Sequence, residues 1–167
     1  MNHVLPDVLA PNLRVVFCGT AAGHESARRA AYYAHPGNKF WRTLYQIGLT
    51  PRQLLPSEYA AVLNYGIGLT DLAKFVSGGD DQLKPADFNV DALKQKITQV
   101  APRALAFTSK NAGSIFYGSK KIGLGRQPMP FAETTVFVLP SPSGLAIRSW
   151  NVDYWREVAD FVTNEST

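Results

Sequence analysis

Cysteine is nearly absent from this sequence: Cys18 is the only one in 167 residues, so no internal disulfide can staple the fold. Charged residues are sparse at 18%, and no apolar run approaches the roughly 20 residues that a membrane span needs. The first residues lack the basic-then-apolar layout of a secretory leader. A reducing, cytoplasmic setting with no membrane partner is therefore expected. What is present is a hydrophobic share of 46%, which excludes a disordered composition and suffices for one core at this length. One domain over residues 1–167, acting as a monomer, is the expectation. The formal charge of +4 permits attraction to a polyanion but does not require it.

Apolar spacing alternates between two periods. Leu13 to Cys18 is continuously apolar and reads as a buried strand, and Asn38 to Ile47 carries Phe40, Trp41, Leu44 and Tyr45 at near-helical spacing. Ser57 to Leu63 reads as a further helical piece, and "YGIGLTD" as a strand running into a turn. Val90 to Val100 repeats apolar residues by threes and fours up to Pro102, and Ala104 to Thr108 follows as a strand. Asn111 to Phe116 predicts a helix, "TTVFVL" the strongest strand, and Val152 to Val162 a closing helix. Alternation of this kind predicts an α/β fold, a three-layer α/β/α sandwich around a mostly parallel sheet. Ligands in such folds bind outside the carboxyl ends of the strands. Here those ends are residues 19–23, 70–71, 109–111 and 140–145.

The first of these ends, "GTAAG", is small enough for another molecule to approach the backbone, and it aims N–H donors outward. It lacks the Gly-Lys-Ser/Thr ending of a triphosphate loop. A tight turn without a ligand fits the same residues. Tyr32 and Tyr33 close the loop, and an aromatic ring there either stacks on a nucleotide base or belongs to the core. The loop "LPSPSGLAIRSW" offers serines and a glycine to phosphates, with Leu145 as an apolar wedge; composition alone suits a plain surface turn. Lys110 and Asn111 begin a helix after the third strand, where a phosphate would meet positive charge and helix N–H groups.

"VVFCG" with "AHPGNKFW", then "YQIGLTPRQL", "YGIGLTDL" and "VLPSPSGL", resemble in order the mismatch-specific uracil-DNA glycosylase and thymine-DNA glycosylase group of the uracil-DNA glycosylase superfamily. The resemblance implies hydrolysis of the N-glycosidic bond of a deaminated or mismatched base flipped from DNA, without metal or cofactor. It makes Tyr33 the base-stacking aromatic, and Thr20, Ala21 and Ser26 parts of the base pocket. Ser143, Gly144 and Leu145 match the second motif, whose leucine enters the duplex. Arg148 lies one residue from the family's arginine in that loop, and Ser141 replaces an asparagine usual in part of the group.

The sequence departs from that family at Ala21, which stands where an asparagine positions the attacking water. An alanine side chain cannot hydrogen-bond to water. Asp71, at the end of the neighbouring strand, is the catalytic candidate, because a carboxylate can take a proton from water or face the cationic sugar of the transition state. A turn cap after Thr70 is its plainer role. His24 and Glu25 are the competitors, while His35 is read as holding its own turn. Uracil opposite guanine is the expected substrate, with hypoxanthine or xanthine open. The alternatives are a damaged-DNA-binding module that has lost turnover with the asparagine, and hydrolysis of a free nucleoside.

Overall fold

In the computed structural model, which describes residues 2–164, five strands form one sheet: β1 (Val15–Gly19), β2 (Ile67–Asp71), β3 (Ala104–Phe107), β4 (Gly125–Arg126) and β5 (Thr135–Val138). Their order is β2-β1-β3-β5-β4, parallel throughout except for β4, which runs against β5. Side chains alternate across a strand, so each residue parity feeds one face. Val15 and Phe17 join Ile67, Leu69, Ala106 and Phe137 on the face covered by α2 (Phe40–Gln46) and α5 (Val152–Thr163). Val16 and Cys18 join Leu105, Phe107, Val136 and Val138 beneath α3 (Val90–Val100) and α4 (Lys110–Tyr117). The expected three-layer α/β/α sandwich is the observed architecture.

Besides the two-residue strand β4, which the sequence reading does not include, three features differ from that reading. The long loop after β1 contains a helix of one and a half turns, α1 (His24–Arg29), too short to register as a period. The helix expected from Asn38 starts at Phe40, although the Asn38 Oδ1 accepts the Phe40 N–H at 2.9 Å, so this residue still serves the helix start. Asp80 to Asp87, whose polar composition predicts a surface loop, forms two short 3₁₀ turns, Asp80–Gln82 and Pro85–Asp87.

The amino-terminal segment runs along β2, with Val8 and Leu69 exchanging backbone hydrogen bonds at 2.9 Å. It delivers Asp7 to a polar cluster: the carboxylate pairs with Lys74 at 2.9 Å and Lys96 at 2.7 Å and accepts from Thr70 at 2.7 Å. Burial pushes the Asp7 carboxyl up, but these partners outweigh it and hold it below the usual carboxylate range. Buried Lys74 also donates to Tyr32 Oη at 3.0 Å, so its ammonium is paired twice, which lets it sit among apolar residues.

Because β2 and β3 flank β1 on opposite sides, the chain leaves β1 in both directions in turn. That reversal opens a crevice at the carboxyl end of β1, the favoured ligand position in a sheet of this kind.

Candidate active site at the carboxyl rim of the sheet

Parallel register places Gly19, the last residue of β1, beside Asp71, the last residue of β2, so the two project to the same face. Thr108 follows β3 directly on the other side. Gly19 is required by what surrounds it: a Cβ there would lie 2.8 Å from Asp71 Oδ1 and 3.4 Å from both Thr108 Oγ1 and Tyr33 Oη. A carboxyl, a hydroxyl and a phenol thus ring one bare Cα. The phenol and the hydroxyl are bonded to each other at 3.0 Å.

Asp71 is only 6% exposed. Burial pushes its carboxyl up to about 7, against the pull of Lys74, which favours the charged form. A carboxyl poised there holds a proton at mildly acid pH and is a base of useful strength near neutrality.

Tyr33 is held in the left-handed region at φ +51°, a conformation that costs a non-glycine residue about 1–2 kcal/mol. Its ring stacks on Phe40 with centroids 3.9 Å apart and planes 19° apart, and Phe40 in turn meets Phe17, Trp41 and Trp155 edge-on. Burial pushes the Tyr33 phenol well up, so it stays neutral. Hydrogen bonds inside the loop hold this geometry. Ser26 Oγ accepts from the Ala34 N–H at 3.0 Å, Trp41 Nε1 donates to the Tyr32 carbonyl at 2.9 Å, and His35 Nδ1 accepts from the Gly37 N–H at 2.9 Å. Ser26 therefore shapes the loop that presents Tyr33, and His35 holds its turn as the sequence suggests.

Segment 77–82 lies against the start of the same loop. Thr20 Oγ1 donates to Asp80 at 2.7 Å, Asn111 Nδ2 donates to the other Asp80 oxygen at 2.9 Å, and Ala22 forms a parallel bridge with Ser77. The two competitors for catalysis are engaged here and on α1. His24 Nε2 meets Gln82 Oε1 at 2.8 Å. Glu25 is gripped by Arg28 at 2.6 Å and Arg29 at 2.8 Å, and the hydrogen bond from Arg28 brings its carboxyl down to about 2, which makes it a weak base. Of the two carboxyl candidates, Asp71 is the one that is pushed up, by burial, rather than down. Ala21 is partly exposed beside this contact and brings no polar side chain.

The loop after β5 is anchored at its base and bare at its tip. Trp155 Nε1 donates to the Pro140 carbonyl at 3.1 Å, and the Lys39 N–H donates to the Pro142 carbonyl at 2.8 Å. Ser141 Oγ accepts from the Ser143 N–H and Ser143 Oγ from the Leu145 N–H, so both serines build the turn. Gly144 packs on Gly37, where a Cβ would come within 3.1 Å of the Gly37 carbonyl oxygen. The two loops therefore touch, and the residue after Gly144, Leu145, is 98% exposed. Arg148 is exposed beyond it, and Lys39 Nζ lies 5.3 Å from the centre of the Trp150 ring. Lys110 is exposed at the first turn of α4, whose start Ser109 caps by accepting the Ala112 N–H at 3.0 Å.

Sequence reasoning missed Gly19 as the seat of Asp71, Thr108 as the partner of Tyr33, and Phe40 as its backing. Parity offered the signal for the first two, since Gly19, Asp71 and Thr108 each end a run of residues on one face of the sheet. The Asp7 cluster left no local signal, because its members lie far apart in the chain. Among the described residues no three His, Cys, Asp or Glu side chains gather into a metal-binding group.

A solution structure from Methanosarcina acetivorans, described as a presumptive uracil DNA glycosylase, shares this fold with a TM-score of 0.66, 24% identity and 97% coverage of either chain. The uracil DNA glycosylase superfamily model matches residues 6–159, from the strap beside β2 into α5 and across both loops of the site. With five strands in this order and both motif loops on one rim, the chain belongs to the uracil DNA glycosylase superfamily.

Proposed function

We propose that the protein is a monofunctional DNA glycosylase of the mismatch-specific uracil and thymine group. It hydrolyses the bond between a deaminated base and deoxyribose, with Asp71 as the water-activating group. The observation that carries this reading is the buried Asp71 carboxyl, poised near neutrality over Gly19 beside Tyr33 and Thr108. The sugar–base bond is inaccessible within a stacked duplex, so the nucleotide must turn out into the crevice. The extruded base stacks on the face of Tyr33 opposite Phe40 and meets the backbone of Thr20 and Ala21. As the bond to the base breaks, its electron pair leaves with the base and positive charge grows on the sugar. The Asp71 carboxylate opposes that charge and accepts a proton from water as the oxygen bonds to the sugar carbon. Leu145 fills the space the base has left, with Lys110 and Arg148 near the backbone phosphates. The chemistry needs no lysine nucleophile, so the product is an intact strand with an abasic site.

Uracil opposite guanine is the first substrate, with hypoxanthine and xanthine following. Single-turnover base release from oligonucleotides carrying one altered base each tests the reading, with Asp71→Asn beside the unaltered protein. Release of at least one base, lost in the variant, supports it. Tight lesion binding with no product at stoichiometric protein would instead identify a binding module, a reading favoured by Ala21 in place of an amide.

A further inference from the structure

The polar cluster around Asp7 wraps the open edge of β2 and touches both faces of the sheet. Thr70 lies opposite Cys18 in the parallel register, so its hydroxyl reaches Asp7 from the face covered by α3, and Lys96 reaches the same carboxylate from α3 itself. Lys74 comes round to the other face. Its ammonium meets Asp7 at 2.9 Å and Tyr32 Oη at 3.0 Å, and Tyr32 belongs to the core layer on the Asp71 side. Backbone bonds fix it there. The Val4 N–H of the amino-terminal segment donates to the Lys74 carbonyl at 2.7 Å, while the Leu72 and Ala73 N–H groups tie the chain between Asp71 and Lys74 to the carbonyls of Gly19 and Thr20. Two ammoniums face the single carboxylate of Asp7, so the cluster carries one positive charge more than Asp7 balances. An ionised Asp71 is the charge that balances it.

We infer that Lys74 is a positioning residue of this site: it supplies the counter-charge to the Asp71 carboxylate and, through Tyr32, braces the loop that presents Tyr33. This rests on the glycosylase reading above and deepens it. A carboxyl as buried as Asp71, with no cation near, would keep its proton well above neutral pH and could not take one from water. Burial raises Asp71 most, Lys74 opposes it, Asp7 adds to the rise, and a backbone hydrogen bond from Gly19 and the charge of Lys96 lower it further. The Cys18 thiol and the phenols of Tyr32 and Tyr33 also face this carboxyl, and burial keeps all three neutral. The rings of Tyr32 and Tyr33 lie 6.3 Å apart, so a displaced Tyr32 disturbs its neighbour. Removing Lys74 and removing Asp7 must therefore move Asp71 in opposite directions. Bracing alone produces no such opposition.

The test follows single-turnover base release from a uracil-containing duplex across roughly pH 5 to 9, for the unaltered protein, Lys74→Met, Lys96→Met and Asp7→Asn. Lys74→Met should move the midpoint of the profile from about 7 to about 8 or above, and Lys96→Met should move it the same way by less. Asp7→Asn should move it down, because the ammoniums then face Asp71 without a rival carboxylate. A second arm titrates the Asp71 carboxyl carbon by NMR in the free protein, with the signal assigned by its absence from Asp71→Asn, and should show the same displacements. A midpoint that stays in place in Lys74→Met, or that moves the same way in Lys74→Met and Asp7→Asn, overturns the inference. If Lys74→Met does not fold, the opposed movements of Lys96→Met and Asp7→Asn decide. If the unaltered protein releases no base from any substrate, the glycosylase reading fails and the titration of Asp71 alone decides on Lys74.

Discussion

The strand ends and the loop above them contrast in what they hide. Asp71 is 6% exposed at the end of β2, whereas Leu145, on a loop that touches the same site through Gly37 and Gly144, is 98% exposed. A charged group buried and an apolar group in water both work against stability. The usual drive of folding places them the other way round. Each inversion has its own support: β-sheet register, Gly19 and the aromatic stack hold the first, and two serine-built turns hold the second. Reactive chemistry is kept dry, and the surface that must enter a base stack is kept ready.

The largest effect is expected from Asp71→Asn, which keeps the shape and removes the charge. Base release should fall at least 100-fold, the lower range for loss of a general base. Stability should move the opposite way. The folded pKa of Asp71, about 7, lies above its ordinary value of 3.8, so between those values the folded protein holds a proton that the unfolded chain has released. The contribution of this group to stability is therefore full at low pH and is lost as pH rises through that window. At pH 8 the asparagine variant should melt roughly 4–8 °C higher than the unaltered protein, by calorimetry, if the gain is about 2 kcal/mol. A variant that is both active and no more stable would erase the contrast.

Gly19→Ala attacks the same seat by volume. With a Cβ 2.8 Å from Asp71 Oδ1 the carboxyl must shift, and the rate should fall about 10- to 100-fold, with roughly 1–3 kcal/mol lost to overpacking. The pH profile sharpens the picture without mutation. Single-turnover rates should drop about tenfold per pH unit below about 7 and level off above it, whereas a flat profile from pH 5 to 8 would remove Asp71 as the base. The smallest effect belongs to the exposed side. Leu145→Ala should slow release from duplex DNA about tenfold, while its stability in urea stays within about 0.5 kcal/mol, as expected at a surface position.

The difference between the two regions also explains what could be read from the sequence. Val90 to Val100 was legible to the residue as α3, because a helix with one buried face writes its period into the chain. Asp71 was legible as an acid at a strand end, and Leu145 as an apolar residue in a turn-rich loop. The partnership of Tyr33 with Thr108 spans 75 residues and depends on a left-handed backbone at a tyrosine, which no propensity foretells. The two-residue β4 and the six-residue α1 are set by tertiary contacts and leave no periodic trace.

Asp71 rides on the outermost strand of the sheet, and the segment around Val8 lies along the open side of that strand through the Val8–Leu69 exchange. Unpaired edges recruit strands from other molecules. An amino-terminal tag or trim that lifts this segment would bare such an edge beside the reacting carboxyl, so the ends chosen for expression bear on self-association as well as on turnover.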